Sequence, residues 1–203
     1  AAASEAGHLV TNGMSQYSRN ERNANSAIVV GVSPERDFPG GALAGIELQE
    51  RLEAQAFELG GANFHAPAQR VDDFLRGMPS TALGEVQPSY TPGVKLTDLS
   101  NSLPKEAIDA IREALPAFAR QVRGFDRPDA VLTAVETRTS SPVRISRDAH
   151  TLQSLNVHGL YPGGEGAGYA GGILSAGVDG IRLAEAVTRE LLAGSELASA
   201  ANE

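Results

Sequence analysis

Nine of the 22 glycines of this chain fall between Gly159 and Gly180, and such a density points to chemistry done by the backbone itself. The run from Val157 through Gly159, Gly163, Gly164, Gly166, Gly168, Gly171 and Gly172 to Ile173 reads as a strand, a glycine-rich turn and the start of a helix. A turn of that kind lets a ligand approach the main chain, and the first unpaired N–H groups of the helix point toward it. The chemistry is recognition of negative charge. Gly166, Gly168 and Gly171 also satisfy G-x-G-x-x-G, the dinucleotide fingerprint, which requires a parallel strand after the helix and an acidic residue about 20 residues on. Here the helix is followed only by Ala193-Gly194 and a polar tail, so that context is missing. A cofactor site at the helix start remains, beside the plainer account in which the glycines only allow tight packing. Glu165 is either solvated or accepts hydrogen bonds from cofactor hydroxyls. Tyr169 is a pocket wall or a core aromatic, and His158 reads as a structural histidine rather than a general base.

A second concentration lies at Thr137 to Ile145, where Arg138 and Arg144 stand among Thr137, Thr139, Ser140 and Ser141. Guanidinium groups bind carboxylates two-pronged, so Arg138 and Arg144 are candidates to orient an anionic substrate. The alternative pairs them with Glu136 and Asp148 as surface ions. Cysteine is absent, which removes thiolate nucleophiles, disulfides and cysteine metal ligands. The histidines, His8, His65, His150 and His158, are too scattered for metal-ligand spacing, and no metal is expected.

The elements that must position these residues follow from periodicity and breakers. Ala27 to Val32 (AIVVGV) is a short β-branched run and predicts a strand. Leu43, Ile46, Leu52, Ala56, Phe57 and Leu59 recur at helical spacing over 42–59, with Gly60-Gly61 as a stop. A shorter helix is expected from Pro67 to Leu75, and an irregular connection from Pro79 to Leu99. Near Leu103 a second long helix begins, with Ser102 as its cap, Pro104 in its first turn and Ile108, Ile111, Leu115 and Phe118 as its buried stripe. Pro116 should kink or divide it. Strands are expected at 130–135, 143–145 and 157–161. A last helix runs from about Gly172 to Leu192, and its small residues Gly177, Gly180 and Ala184 would let its backbone lie close to a sheet or a ligand.

Composition bounds the class. The 203 residues carry 17 Lys and Arg against 25 Asp and Glu, a net charge of −8 with no basic stripe, which argues against nucleic acid. No run approaches the roughly 20 apolar residues of a membrane span, and Ala1-Ala2-Ala3-Ser4-Glu5 is unlike a signal peptide. The expectation is a cytoplasmic protein. An opening without Met, apparently inside a folded segment, suggests a piece of a longer chain.

The glycine segment is more specific than its spacing alone. Gly159-Leu160-Tyr161-Pro162, then Gly164 through Ile173, then Ser175-Ala176 and Val178-Asp179-Gly180-Ile181, resemble the C-terminal flavin motif of a family of bacterial FAD-dependent dehydrogenases, the NAD(P)/FAD-dependent oxidoreductases. Val10 to Ser15, Asn23 to Ala27, Ala66 to Val71 and Thr137 to Ile145 resemble the same family in the same order. The resemblance covers nearly the whole chain. It implies an α/β fold: part of an interrupted FAD-binding Rossmann-like domain with an inserted α+β substrate or cap domain. Residues 1–23 would be a returning segment of the FAD domain, 24–140 the cap, and 141–203 the C-terminal FAD segment. It implies that Gly164, Glu165 and Gly166 lie along the ribityl or pyrophosphate region of FAD, that Gly171, Gly172 and Ile173 face the flavin pyrimidine edge, and that Thr11 to Ser15 border the active site. The ADP-binding half would come from the N-terminal remainder of the same protein, so this chain alone would be inactive. The expected ligand is a small organic substrate, with NAD(P) open as a second one. The sequence departs from the family at Gly163, where cysteine or alanine is expected, so no thiol role carries over. A non-catalytic binding or scaffold domain that retains a flavoprotein fold is the alternative.

Overall fold

The helical spacing around Leu52 and Ala56 is realised, and the computed structural model, which describes residues 4–200, places that helix at Ala44–Leu59. In chain order the elements are α1 (Pro34–Asp37), α2 (Ala44–Leu59), β1 (Ala66–Arg70), α3 (Val71–Arg76), β2 (Val94–Leu96), a 3-10 turn at Leu99–Asn101, α4 (Lys105–Gln121), β3 (Val131–Thr133) and α5 (Ile173–Ala200). The architecture is mixed α/β. The chain divides into two compact units, the first ending at Arg138 and the second beginning at Thr139.

The first unit is built on a three-stranded sheet of order β2-β1-β3. The central strand β1 runs parallel to β2, with Ala66 opposite Val94, and antiparallel to β3, with Ala68 opposite Thr133. This corrects the helix expected from Pro67: residues 66–70 are a strand, and only Val71–Arg76 is helical. Proline cannot donate to a ladder, but Pro67 needs only its carbonyl, which accepts from the Ala134 N–H at 3.0 Å. The buried Gln69 joins the strand to its surroundings, its Oε1 accepting from the Leu99 N–H at 2.8 Å and its Nε2 donating to the Met78 carbonyl at 2.7 Å. Around this strand pack Leu9, Ala56, Val71, Phe74, Leu99, Ile108, Ile111 and Leu115.

Three further expectations in this unit change. Residues 27–32 join no ladder, although Ile28 and Val30 turn toward the core while Val29 and Val32 are exposed, so the alternation is that of a strand without a neighbour. Ser102 does not cap α4: its hydroxyl donates to the Leu99 carbonyl, closing the 3-10 turn, and Pro104 holds the cap position. Pro116 does not divide α4, whose anchoring residues Ala107, Ile108, Ile111 and Leu115 all precede it. The irregular connection contains β2, too short to show a period.

In the second unit, α5 follows a long irregular segment. Neither 143–145 nor 157–161 is a strand; the segment has instead one isolated antiparallel bridge between Arg147 and Ser154. The glycine run therefore leads out of turns, not out of a strand. Gly177 and Gly180 have open space where a side chain would stand.

Candidate functional site

The second unit solves a problem of its sequence with one ion pair. Asp179 is the acidic residue on a stretch of α5 otherwise built of small and apolar residues, and a buried carboxylate requires partners. Arg147 meets it with both prongs, Nη2 to Oδ1 at 2.6 Å and Nη1 to Oδ2 at 2.9 Å, each side chain being 8% exposed. The Gly164 N–H donates to the same Oδ2 at 2.9 Å, and Arg147 Nη1 also donates to the Pro162 carbonyl at 2.7 Å. The hydrogen bonds from Arg147 hold the Asp179 carboxyl below its ordinary range against the opposing effect of burial. One carboxylate thus fixes the entry to the glycine turn against the helix that follows it.

The turn itself closes through Gly168 N–H to Glu165 carbonyl, 2.9 Å, and Tyr169 N–H to Gly164 carbonyl, 3.0 Å. Gly164 and Gly168 have φ of 66° and 79°, left-handed values that favour glycine. Gly168 has a second reason, since a Cβ there would lie 2.6 Å from the Val143 carbonyl oxygen. The Ser141 hydroxyl, 2.8 Å from the Val143 carbonyl and 3.1 Å from the Gly166 carbonyl, stands between the turn and the preceding segment. At Gly163 a Cβ would fall 2.0 Å from the Leu183 Cδ1, so glycine at this departure from the family pattern matches the packing of α5.

The residues expected at the cofactor fall into two groups along the chain. Gly164, Glu165 and Gly166 form the turn, with Glu165 and Gly166 exposed. Gly171, Gly172 and Ile173 lead into α5, whose first turn has no acidic residue and whose Ile173 and Leu174 are 90% and 86% exposed. Gly166 and Gly171 have no atom within 4 Å of a notional Cβ, so their backbone is approachable. The main chain here is open, the helix start is free of carboxylates, and its apolar side chains are bare.

The two arginines have different surroundings. Arg138 forks onto the carboxylate of Glu53, Nε to Oε1 at 2.9 Å and Nη2 to Oε2 at 2.8 Å, and the Thr137 hydroxyl adds a bond of 2.6 Å. Glu53 is 1% exposed; burial pushes its carboxyl up, but the bonds from Arg138 and Thr137 together outweigh it and the pKa is lowered. Arg144 pairs with neither Glu136 nor Asp148 and instead lies over the Tyr169 ring, 4.2 Å from its centroid. Tyr169 is a partly buried ring between cations, its hydroxyl accepting from the Arg147 N–H. His158 is exposed and 3.4 Å from Glu190.

A family model described as FAD-dependent protein, C-terminal domain-like, matches residues 1–139. The chain belongs to that family. An uncharacterized protein of Clostridium beijerinckii is 55% identical over 186 residues, which are 91% of this chain and 34% of the relative. The chain thus spans about a third of that relative's length. The family match ends beside the boundary between the two units, before the glycine turn, whereas the match to the relative is long enough to extend past it. FAD association is a property of the family. Among the described residues no helix is long and apolar enough to cross a membrane, and no group of three or more His, Cys, Asp or Glu stands ready for a metal.

Arg147, Asp179 and Glu53 were not singled out from sequence. A signal existed for two of them: Asp179 and Glu53 are carboxylates on the inner faces of helices, where a buried charge needs a partner.

Proposed function

We propose that this chain is the C-terminal portion of an FAD-dependent oxidoreductase, a dehydrogenase acting on an unidentified organic substrate. FAD supplies the hydride or electron transfer when bound. The reading rests on the glycine turn, held by Asp179 and leading into a helix start without acidic residues, in a member of an FAD-dependent family.

In this reading the Gly164–Gly166 main chain and Glu165 hold the ribityl or pyrophosphate region, and the Gly171, Gly172 and Ile173 amides lie along the pyrimidine edge. A helix start favours negative charge near it by roughly 0.3–1 kcal/mol, more when partly buried. Residues 1–23 and 141–203 would belong to an interrupted Rossmann-like FAD domain and 24–140 to the cap, with the ADP site supplied by the rest of the parent chain. Of the two candidate arginines, Arg138 is not free to anchor a substrate, because its fork is filled by Glu53. NAD(P) fits as a second substrate of the whole enzyme.

The absorption spectrum of the intact parent tests this. Flavin bands in the purified protein, bleached by substrate or by reduced nicotinamide, are expected; a colourless protein that gains no flavin absorbance on incubation with FAD overturns the reading. Glu165→Ala separates it from the scaffold alternative, which requires unchanged flavin content and no substrate-dependent bleaching.

A further inference from the structure

The second unit contains a cleft of about 520 Å³ lined by four arginines, with Tyr169, His150 and one carboxylate, Glu185, also in its wall. Arg144 and Arg147 enter it from the irregular segment, and Arg182 and Arg189 from α5, seven residues and so two helical turns apart on one face. Such a concentration of positive charge runs against the composition of a chain with net charge −8. Two of the four are balanced: Arg147 by Asp179, and Arg189 by Glu185 at 3.6 Å. Arg144 and Arg182 have no carboxylate within ion-pair distance among the described residues.

Arg144 is held close to the compensated Arg147. Arg144 and Arg147 lie over the same Tyr169 ring, 4.2 and 3.7 Å from its centroid. Tyr169 is fixed in turn by the bond from the Arg147 N–H to its hydroxyl. His150 adds a further polar group to the wall.

We propose that this cleft binds a phosphate monoester. Two unbalanced guanidinium groups match a dianion in charge. They approach from two different elements, which suits the several oxygens of a phosphate better than the single plane of a carboxylate. Arg182 lies nine residues into α5 from Ile173, about 13 Å along the axis, so the cleft runs along the flank of the helix rather than across its first turn. The proposal does not rest on the flavin reading.

Titration calorimetry of the full chain with methyl phosphate and with inorganic phosphate tests it. Saturable binding of one methyl phosphate per chain is expected, weakening as NaCl is raised. Arg144→Ala and Arg182→Ala are each expected to weaken it tenfold or more, and Arg144→Lys to fall between, with thermal melts showing that the variants remain folded. No saturable binding, binding untouched by both alanine variants, binding of inorganic phosphate but not the ester, or equal binding of malonate would each overturn the proposal. A yellow parent that ignores methyl phosphate sinks this inference alone; a colourless one that binds it sinks the flavin reading alone.

Discussion

Arg147 and Asp179 face each other across the second unit in a two-pronged pair of 2.6 and 2.9 Å, nearly closed to solvent, and the Gly164 N–H completes the carboxylate's shell. Removing one partner leaves the other buried and charged, which typically costs about 3–5 kcal/mol. Arg147→Ala is therefore expected to lower the denaturant midpoint strongly and to expose residues 162–169 to limited proteolysis. Unchanged cleavage of that segment would show that the turn is held by something else.

Acid should act through the same carboxylate. The folded-state pKa of Asp179 lies below its ordinary 3.8, as does that of Asp73, held down chiefly by the Ser80 hydroxyl, so both stabilise the fold fully above that value. Their contribution is lost as pH falls below about 4 and through the lowered values. Urea midpoints measured from pH 7 to pH 2.5 should stay flat with respect to these groups to about pH 5 and then drop. Asp179→Asn should remove its own share of the drop, leaving that of Asp148, which the Thr151 and His150 N–H groups also hold low.

Glu53 and Arg138 differ in burial, and the two deletions should differ accordingly. Arg138→Ala strands a carboxylate that is 1% exposed, whereas Glu53→Gln leaves an arginine side chain that is 40% exposed and able to find water. The expected losses are about 2–4 kcal/mol for Arg138→Ala, discounted for the arginine's exposure, and about half that for Glu53→Gln. Equal losses in chemical denaturation would contradict this asymmetry.

Glycines in the turn should separate stability from cofactor content. Gly168→Ala meets both a left-handed φ and the Val143 carbonyl, and strain of that kind costs of order 1–3 kcal/mol. Gly171→Ala meets open space and should leave the melting temperature within about 2 °C. In the intact parent, the proposed function requires Gly171→Ala to reduce flavin absorbance per chain; full occupancy would move the cofactor away from that residue.

The long helices were legible because their apolar residues repeat: Leu52 with Ala56, and Ile108 with Ile111 and Leu115, mark buried stripes unaided. The three-residue strands were harder, because β2 and β3 span less than two full alternations. β1 was misread as helix because the burial pattern of Ala66–Arg70 comes from being covered on both faces, which abolishes the alternation that identifies a strand. The run at 27–32 misled in the opposite sense, since β-branched content marks extended backbone but does not provide a neighbour to pair with, while 157–161 is broken into a turn at Gly159, whose φ is 76°. At the candidate site the glycines were visible as a cluster, while the residues that hold it are scattered: Arg147 lies 32 positions from Asp179, and no local pattern joins them.

The buried amide of Gln69 has a polarity that its charged relatives lack. One end only accepts, from Leu99, and the other only donates, to Met78. Turned over, it would set oxygen against oxygen and N–H against N–H. The position therefore works as a keyed connector: glutamate would lose the donor, lysine the acceptor, and a sliding of either neighbouring segment by one residue would present the wrong plug. Correct assembly of three distant stretches of chain is checked at a single uncharged side chain, at any pH the protein meets.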